Sequence, residues 1–255
     1  MSGAVLMHCE GPLACVTLSH PGRFNAMSRA MWRQLKTVFE DLQNRAVVRA
    51  VLVCGQDGHF CAGGDISEYP AFRFDEAGLR DFHENDVWGG LSAMLACDVP
   101  IFAQIEGHCM GAGVEIASCC DIRLAGESAR FGAPIARLGF PMAPREAQLV
   151  ARELGLTTAR EMLLEAAVLD AAIMQARGFV QAVWPDADVA HLARSRALRA
   201  TQLAQQAARL NKQTLRSITA QAVPPELLAM AYKYADSAEH REGVAAFMAK
   251  RKPAF

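Results

Sequence analysis

Two glycine-rich turns constrain the fold of this chain most, because each of them follows an apolar, strand-like run. Residues 50–54 precede the turn 60–65 (FCAGGD), and Ile101–Ile105 precede the turn 107–115 (GHCMGAGVE). Two strand ends that carry small residues can direct backbone N–H groups at one point, and two converging N–H groups can hold a developing oxyanion. Glycine also allows a ligand's carbonyl group to approach the backbone closely. The turns therefore predict a site at the ends of two neighbouring strands.

Glu115 adds an acid to this predicted site. The second turn runs into a predicted helix, Ala112–Ser118, whose positive end would face the bound oxygen. Glu115 lies three residues after Ala112, and residues i and i+3 share one face of a helix. We therefore expect its carboxylate beside the oxygen, where it can transfer a proton at a carbon next to an activated carbonyl. Each glycine cluster alone is typical of an ordinary turn, so the prediction depends on the combination.

Charge and hydropathy exclude several functional classes. With 27 acidic and 26 basic residues the formal net charge is -1, which argues against general nucleic-acid binding because that requires a basic surface. No run approaches the roughly 20 apolar residues that a membrane span needs. The N-terminus has no basic segment followed by an apolar stretch, so no secretory signal is predicted. We therefore expect a cytoplasmic protein with neither a membrane nor a nucleic acid as partner.

The cysteines and histidines predict no metal site. Most of the eight cysteines lie in apolar runs, and none of them form a Cys-x-x-Cys pair. They are interpreted as small buried residues that remain reduced thiols. The seven histidines show no ligand spacing with one another or with the cysteines.

The chain is predicted to be an α/β protein that ends in helices. A hairpin of strands 5–9 and 15–18 precedes a helix that Ser28 caps and that runs to about Gln43. Strands then alternate with helices to about residue 125, which indicates a largely parallel sheet. Helices dominate from Pro144 onward, and we predict them at 145–154, 158–164, 190–210 and, after Pro224-Pro225, at 226–234. The polar segment 67–85, with interleaved aromatic residues, is predicted to be a surface helix with its loop.

In its sequence motifs the chain resembles the crotonase, or enoyl-CoA hydratase/isomerase, superfamily over nearly its whole length. The stretches that carry the resemblance are 20–28 (HPGRFNAMS), 60–65 (FCAGGD), 107–115 (GHCMGAGVE), 120–125 (CDIRLA), 131–139 (FGAPIARLG) and 242–255 (EGVAAFMAKRKPAF). The resemblance implies a crotonase-like spiral of ββα units with a helical C-terminal subdomain. It divides the chain into a core at 1–195 with a CoA-thioester site and an oligomerisation subdomain at 196–255. It also implies a homotrimer or a dimer of trimers, and it makes 67–85 a mobile wall of the acyl pocket.

The resemblance implies an enzyme of the enoyl-CoA hydratase/isomerase type that stabilises an enolate. Matched residue by residue, the N–H groups of Gly64 and Ala112 would hold the thioester oxygen, and Glu115 would be catalytic. Coenzyme A would enter as part of the substrate, with no separate cofactor and no metal. The basic tail of Lys250, Arg251 and Lys252 can also contact CoA in relatives, but we favour Arg23 for that contact. The expected substrate-binding residues are Arg23, Phe24, Ala62, Asp65, Ile66, Gly111, Pro134, Ile135 and Leu138.

The second acid is where this chain departs from its family. Hydratases resemble one another in a second glutamate that follows Pro in a Gly-x-Pro-Glu stretch, and here Ile135 stands in its place. The reaction therefore stays open between hydration, isomerisation, decarboxylation and thioester hydrolysis. A binder of acyl-CoA that has lost much of its catalytic power is a further alternative.

Four residues are candidates to replace the missing acid, namely Asp65, Glu68, His83 and Glu146. For each of them a structural role is favoured over proton transfer. Asp65 is expected to cap backbone groups, and Glu146 is expected to pair with Arg145 or Arg152 at a helix start. His108 is expected to support its loop rather than to move protons.

Overall fold

The computed structural model describes residues 2–218, 238–251 and 253–254. The strands are β1 (Ala4–Glu10), β2 (Leu13–Ser19), β3 (Ala50–Gly55), β4 (Ile101–Ile105), β5 (His108–Met110), β6 (Ile122–Gly126), β7 (Arg130–Gly132), β8 (Val168–Asp170) and β9 (Ala182–Trp184). The larger sheet has six strands in the order β1-β2-β3-β4-β6-β9, and the smaller sheet has the order β5-β7-β8.

The helices cover the sheets and supply most of the remaining core. The α-helices are α1 (Arg29–Asn44), α2 (Glu76–Asp81), α3 (Trp88–Ala96), α4 (Ala112–Ser118), α5 (Pro144–Leu154), α6 (Leu156–Leu164), α7 (Ala171–Ala176), α8 (Asp186–Ala200), α9 (Gln205–Ile218) and a helix at Ala238–Met248. Two 3₁₀ helices, Ile66–Ala71 and Ile135–Leu138, and a π-helix, Phe82–Val87, complete the set.

The predicted hairpin opens the larger sheet. β1 and β2 pair antiparallel from Ala4 opposite Ser19 to Glu10 opposite Leu13. Gly11 makes the turn with φ +58°, a left-handed conformation that glycine adopts without steric cost. The parallel strands β2, β3, β4, β6 and β9 follow in register. Both the hairpin and the largely parallel sheet are therefore confirmed.

Successive chain segments alternate between the two sheets, as the crotonase spiral requires. β4 pairs in the larger sheet, and β5 follows at once in the smaller sheet. β6 and β7 repeat this arrangement, because β6 pairs with β4 and β7 pairs with β5. The turn after β3 reaches the smaller sheet through a single bridge between Cys61 and Cys109. The expected fold class is confirmed.

α1 begins where the sequence predicts. The Ser28 side chain accepts the N–H of Met31 at 3.2 Å, which satisfies one of the free donors of the first turn. Its apolar face packs against α3 and lies in the core. The fully buried members of that face are Met31, Trp32, Leu35, Phe39 and Leu42.

The helical region after Pro144 differs from the prediction in two respects. The short strands β8 and β9 were not predicted, and β9 joins the larger sheet beside β6. The predicted helix 190–210 is wrong as one element, because α8 ends at Ala200 and α9 begins at Gln205. The carboxylate of Glu239 accepts the N–H groups of Gln205 and Gln206 at 3.2 and 2.9 Å and so caps α9. Because Glu239 lies 34 positions after Gln205, no pattern in the sequence around α9 predicts this cap.

The predicted division between 195 and 196 falls inside α8. This helix packs on β3, β4 and β6 through Ala193 and Ala197, which are fully buried. The predicted helix 226–234 and its preceding prolines lie outside the described residues, and the trimer or dimer of trimers stays a prediction. In the described ranges every helix is too short or too polar to cross a membrane.

Candidate active site

Backbone hydrogen bonds join the two glycine-rich turns to each other. The N–H of Cys61 donates to the carbonyl of His108, and the N–H of Met110 donates to the carbonyl of Cys61, both at 2.8 Å. A Cβ atom at Gly113 would lie 2.6 Å from the Cys61 carbonyl oxygen, so only glycine allows this approach. Gly111 has φ +48°, which turns the chain out of β5 and into α4. The turns therefore meet at one place, as the sequence predicts.

Two backbone N–H groups at this junction have no backbone partner. No carbonyl in the described part of the chain accepts the N–H of Gly64 or of Ala112. Ala112 is the first residue of α4, and the first N–H groups of a helix have no acceptor within the helix. The next turn closes normally, because the N–H of Glu115 donates to the Gly111 carbonyl at 3.1 Å. Gly64 and Ala112 therefore each offer a donor where they border the same cavity.

This cavity, of about 250 Å³, lies between the two turns and a wall of helical segments. Apolar side chains make up most of its lining, and a few titratable groups interrupt them. The lining consists of Trp32, Ala62, Gly63, Gly64, Ile66, Tyr69, Arg73, Phe82, His83, Val87, Met110, Gly111, Ala112, Glu115, Pro134, Ile135, Leu138, Phe140, Pro141, Met142 and Glu146.

Glu115 is a buried carboxylate on the cavity wall. It lies on α4 with 7% of its surface exposed. Burial raises the pKa of Glu115 well above its usual range, and the negative charge of Glu146 raises it further. Glu115 is therefore set to keep a proton where an exposed glutamate would lose it.

Glu146 provides a second buried carboxylate on the same cavity. It lies in the first turn of α5, which packs on α4, and it is 3% exposed. Its Oε1 is 2.8 Å from Nδ1 of His83, which lies on the π-helix Phe82–Val87. The expected pairing with Arg145 or Arg152 is wrong. Those two arginines pair with Glu84 and Glu153, at 2.9 and 3.0 Å.

A family model covers almost the whole chain. The model described as enoyl-CoA hydratase/isomerase matches residues 9–255. The chain belongs to the enoyl-CoA hydratase/isomerase family.

Individual relatives agree with this assignment along their full length. A crystal structure from Magnetospirillum magneticum, described as an enoyl-CoA hydratase/carnithine racemase, superposes with a TM-score of 0.95 at 33% identity and covers 99% of this chain and 95% of its own. The 2,3-dehydroadipyl-CoA hydratase of Escherichia coli is 29% identical and covers 94% of this chain and 93% of its own. A short-chain-enoyl-CoA hydratase of Clostridium acetobutylicum is 28% identical, and the match covers 97% of this chain and 95% of the relative's own. The family members support a crotonase-type enzyme that processes acyl-CoA.

Most of the predicted site residues lie together on the cavity, although their roles stay predictions. Those that line it are Ala62, Gly64, Ile66, Gly111, Ala112, Glu115, Pro134, Ile135 and Leu138. Arg23, Phe24 and Asp65 are not among the lining residues.

Asp65 and Arg23 support the first turn from outside the cavity. Oδ1 of Asp65 accepts the N–H of Ser67 at 3.1 Å, so the expected capping role is confirmed. The same oxygen pairs with the Arg23 guanidinium at 2.9 Å. Half of the Arg23 side chain is exposed, which leaves it accessible to an anion at the surface.

Phe24 and His108 form an aromatic cluster with His59 beside the second turn. The His59 and His108 rings stack with centroids 4.7 Å apart, and Phe24 meets His59 edge-on at 4.6 Å. The N–H of His108 donates to Nδ1 of His59 at 3.2 Å. Burial, followed by the nearby His108, lowers the pKa of His59. This arrangement agrees with the expected supporting role of His108.

Ile135 occupies the wall as an apolar residue. It starts the 3₁₀ helix Ile135–Leu138 and packs against the core. Glu68, another candidate acid, accepts the N–H of Arg29 at 2.8 Å through its carboxylate and does not line the cavity. Of the four candidates, only His83 and Glu146 reach it.

Tyr69 and Arg73 are lining residues with polar groups that the sequence motifs do not identify. Tyr69 is one of the interleaved aromatic residues of 67–85. Burial raises the pKa of Tyr69 to about 12, and its hydroxyl oxygen lies so close to Gly64 that a Cβ there would be 2.3 Å away. The alternation of aromatic and charged residues in this segment was the available signal, because a solvated helix rarely needs so many aromatic residues.

The cysteines are free thiols in or near the core. Burial raises the pKa of Cys109, which lies in the second turn, well above its usual range. Such a thiol is a poor nucleophile, because the thiolate is the reactive form. Among the described residues, no group of three or more histidine, cysteine, aspartate or glutamate side chains is arranged to hold a metal ion.

Proposed function

We propose that this protein hydrates 2-enoyl-CoA thioesters, with Glu115 and Glu146 as the acid–base pair. The observation that carries the proposal is the position of these two carboxylates. They are buried, they come from the neighbouring helices α4 and α5, and they line the cavity that Gly64 and Ala112 also line.

The free N–H groups of Gly64 and Ala112 would hold the thioester oxygen. Charge develops on that oxygen when a nucleophile adds to the conjugated double bond. A donor fixed by the backbone stabilises this charge without reorganisation, and each such donor lowers the barrier by roughly 2.7–4 kcal/mol in tested enzymes.

Glu115 and Glu146 would divide the acid and base roles. Two neighbouring buried carboxylates cannot readily both be ionised, so one of them keeps a proton. The pKa of Glu115 is raised by burial and by the charge of Glu146, which makes Glu115 the acid. Glu146 is then the base, and the Nδ1–H of His83 donates to it at 2.8 Å.

The steps follow from these roles. Glu146 takes a proton from a water molecule as the water oxygen forms a bond to Cβ of the enoyl group. The electron pair of the double bond moves onto the thioester, where the N–H groups of Gly64 and Ala112 stabilise it as an enolate. Cα then takes the proton of Glu115, and the product is a 3-hydroxyacyl-CoA.

The names of the relatives support this choice of reaction. Two of them are hydratases of acyl-CoA thioesters, one for 2,3-dehydroadipyl-CoA and one for short-chain enoyl-CoA. Isomerisation is the second candidate, and the apolar Ile135 favours it because a double-bond shift needs only one shuttling base. The third candidate is a protein that binds acyl-CoA without turning it over.

Turnover and binding together separate these candidates. Purified protein is given 2-enoyl-CoA and 3-enoyl-CoA thioesters of matched chain length, and the products are identified by mass spectrometry. We expect 3-hydroxyacyl-CoA from the 2-enoyl series, with kcat/KM at least 100-fold lower in Glu115→Gln. Conversion of the 3-enoyl series without addition of water would replace hydration by isomerisation. Tight binding without any product would replace both by a binding role.

A further inference from the structure

Arg73 is a cation on the wall of the acyl cavity. It follows the 3₁₀ helix Ile66–Ala71, and its N–H donates to the Tyr69 carbonyl at 2.8 Å. Its guanidinium carbon lies 3.6 Å from the ring centroid of Phe140 and 4.5 Å from that of Tyr69. The two rings are 6.0 Å apart, and all three residues line the cavity. The aromatic contacts therefore fix the guanidinium at the cavity instead of letting it extend into solvent.

Arg73 differs from neighbouring arginines in its ion pairing. Within the described ranges, no aspartate or glutamate oxygen lies within 4.0 Å of the Arg73 nitrogens. The neighbouring arginines differ, because Arg29 and Arg33 both pair with the buried Asp86 at 2.5 and 2.6 Å. Glu146 acts on Arg73 only through space, since its hydrogen bond goes to His83.

A cation that has no carboxylate partner among the described residues, and that lies in an apolar wall, suits some acyl groups and not others. Burial lowers the pKa of Arg73, which shows the cost of removing its charge from water. A hydrocarbon chain packed against it would remove more water and return no hydrogen bond. A carboxylate would return charge-assisted hydrogen bonds, for which the planar guanidinium is well shaped. The remaining wall fits methylene groups, because it contains Ile66, Phe82, Val87, Leu138 and Met142.

We propose that the acyl group of the substrate carries a carboxylate and that Arg73 binds it. This inference rests on the proposed function, because it names the class of acyl-CoA that the same cavity accepts. The phosphates of CoA are the other source of anionic oxygen that Arg73 could meet. They are common to every acyl-CoA, so matched ligands distinguish the two sources.

The test is a binding comparison that needs no turnover. The ligands are saturated acyl-CoA pairs of equal chain length that end in a carboxylate or in a methyl group, namely glutaryl- and pentanoyl-CoA, adipyl- and hexanoyl-CoA, and suberyl- and octanoyl-CoA. Kd is measured by calorimetry for the native protein, Arg73→Gln and Arg73→Lys. Arg80→Gln is the matched control, since Arg80 lies on the same segment but is exposed and pairs with Glu76.

We expect the native protein to prefer the carboxylate member of at least one pair by about 10- to 100-fold, as hydrogen bonds to charged groups typically give. Arg73→Gln should remove this preference while binding of the methyl member changes little or tightens. Arg73→Lys should keep part of the preference, and Arg80→Gln should keep all of it.

Two results would overturn the inference. The first is the absence of a preference for the carboxylate at every chain length. The second is an equal loss of affinity for both ligands of a pair in Arg73→Gln, which would show that Arg73 binds the CoA phosphates. Because the ligands are saturated, a carboxylate preference that depends on Arg73 stands even if hydration is not found. Hydration of methyl-terminated enoyl-CoA with no such preference would support the proposed function alone.

Discussion

The two walls of the cavity are built in different ways. The loop wall, which we define as Gly64, Gly111, Ala112 and Glu115, comes from the turns after β3 and β4, and backbone hydrogen bonds join these turns. The helical wall, which we define as Tyr69, Arg73, His83 and Glu146, comes from three helical segments and the turn that holds Arg73, and side-chain contacts join these parts. The loop wall offers mainly main-chain donors, and the helical wall offers only side chains. Under the proposed function, the loop wall determines the reaction class, and the helical wall supplies the partner base and selects the acyl group.

Replacement of the acid of the loop wall should have the largest effect. Glu115→Gln keeps the size of the side chain but cannot deliver a proton to Cα. We expect kcat for enoyl-CoA hydration to fall by about 10²–10⁴-fold, with Kd for a saturated acyl-CoA nearly unchanged. Stopped-flow kinetics and calorimetry measure the two quantities, and Glu127→Gln, at an exposed glutamate, is the control. Activity within a few-fold of the native protein would remove Glu115 from the mechanism.

Replacement of the base of the helical wall should have a smaller effect that a second substitution can reverse. We expect Glu146→Gln to lower kcat by about 10²-fold, because water activation loses one acid–base group. Ile135→Glu adds a carboxylate to the same cavity, so it should recover part of the lost rate in the Glu146→Gln background and add little in the native chain. A large gain from Ile135→Glu alone would show that Glu146 does not fill the missing position.

A methyl group at Gly64 tests how closely the two walls approach each other. Its Cβ would lie 2.3 Å from the Tyr69 hydroxyl oxygen but 3.3 Å from the nearest ring carbon. Gly64→Ala should therefore raise KM by several-fold as the Tyr69 ring moves, and Tyr69→Phe in the same chain should relieve most of this. Steady-state kinetics of the two single variants and the double variant give the coupling. Additive effects would mean that the walls do not interact here.

The pH dependence of stability should show the smallest effect. The pKa of Glu115 is raised in the folded chain, so the folded chain holds this proton more tightly than the unfolded chain does. The stabilisation is present at low pH and is lost as pH rises from the usual carboxyl range through the raised pKa. We expect the Tm of the native protein to fall relative to that of Glu115→Gln as the pH rises above the usual carboxyl range, as calorimetric scans can measure. Parallel curves for the two proteins would contradict the raised pKa.

Prediction from sequence succeeded where the determinants are local. The turns could be identified because Gly111 and Gly113 follow an apolar run. The position of Glu115 beside Ala112 could be predicted because the spacing of the two residues fixes the helix face, while its role stays a prediction. The start of α1 was predicted for the same reason, since Ser28 directly precedes the helix and its side chain accepts the N–H of Met31, three residues later.

Prediction failed where a distant residue decides the outcome. Glu146 was expected to pair with Arg145 or Arg152 at a helix start, but its partner is His83, 63 positions earlier in the chain. The start of α9 is likewise capped by a distant residue, Glu239, which lies 34 positions after Gln205 in the chain. Arg73 could not be distinguished from a solvated arginine, because its position depends on the ring of Phe140 from another segment.

The main-chain hydrogen bonds between the two turns have a consequence for evolution and engineering. The bonds at Cys61 and Met110 use only peptide groups, so substitutions on the helical wall leave the hydrogen-bonding groups at the junction unaltered. A mutant library over Tyr69, Arg73, His83 and Glu146 should therefore contain many folded members. Under the proposed function, these members activate the thioester in the same way and differ in which acyl group they select. A library over Gly111 and Gly113 should contain few folded members, because Gly111 has φ +48° and a Cβ atom at Gly113 would lie 2.6 Å from the Cys61 carbonyl oxygen.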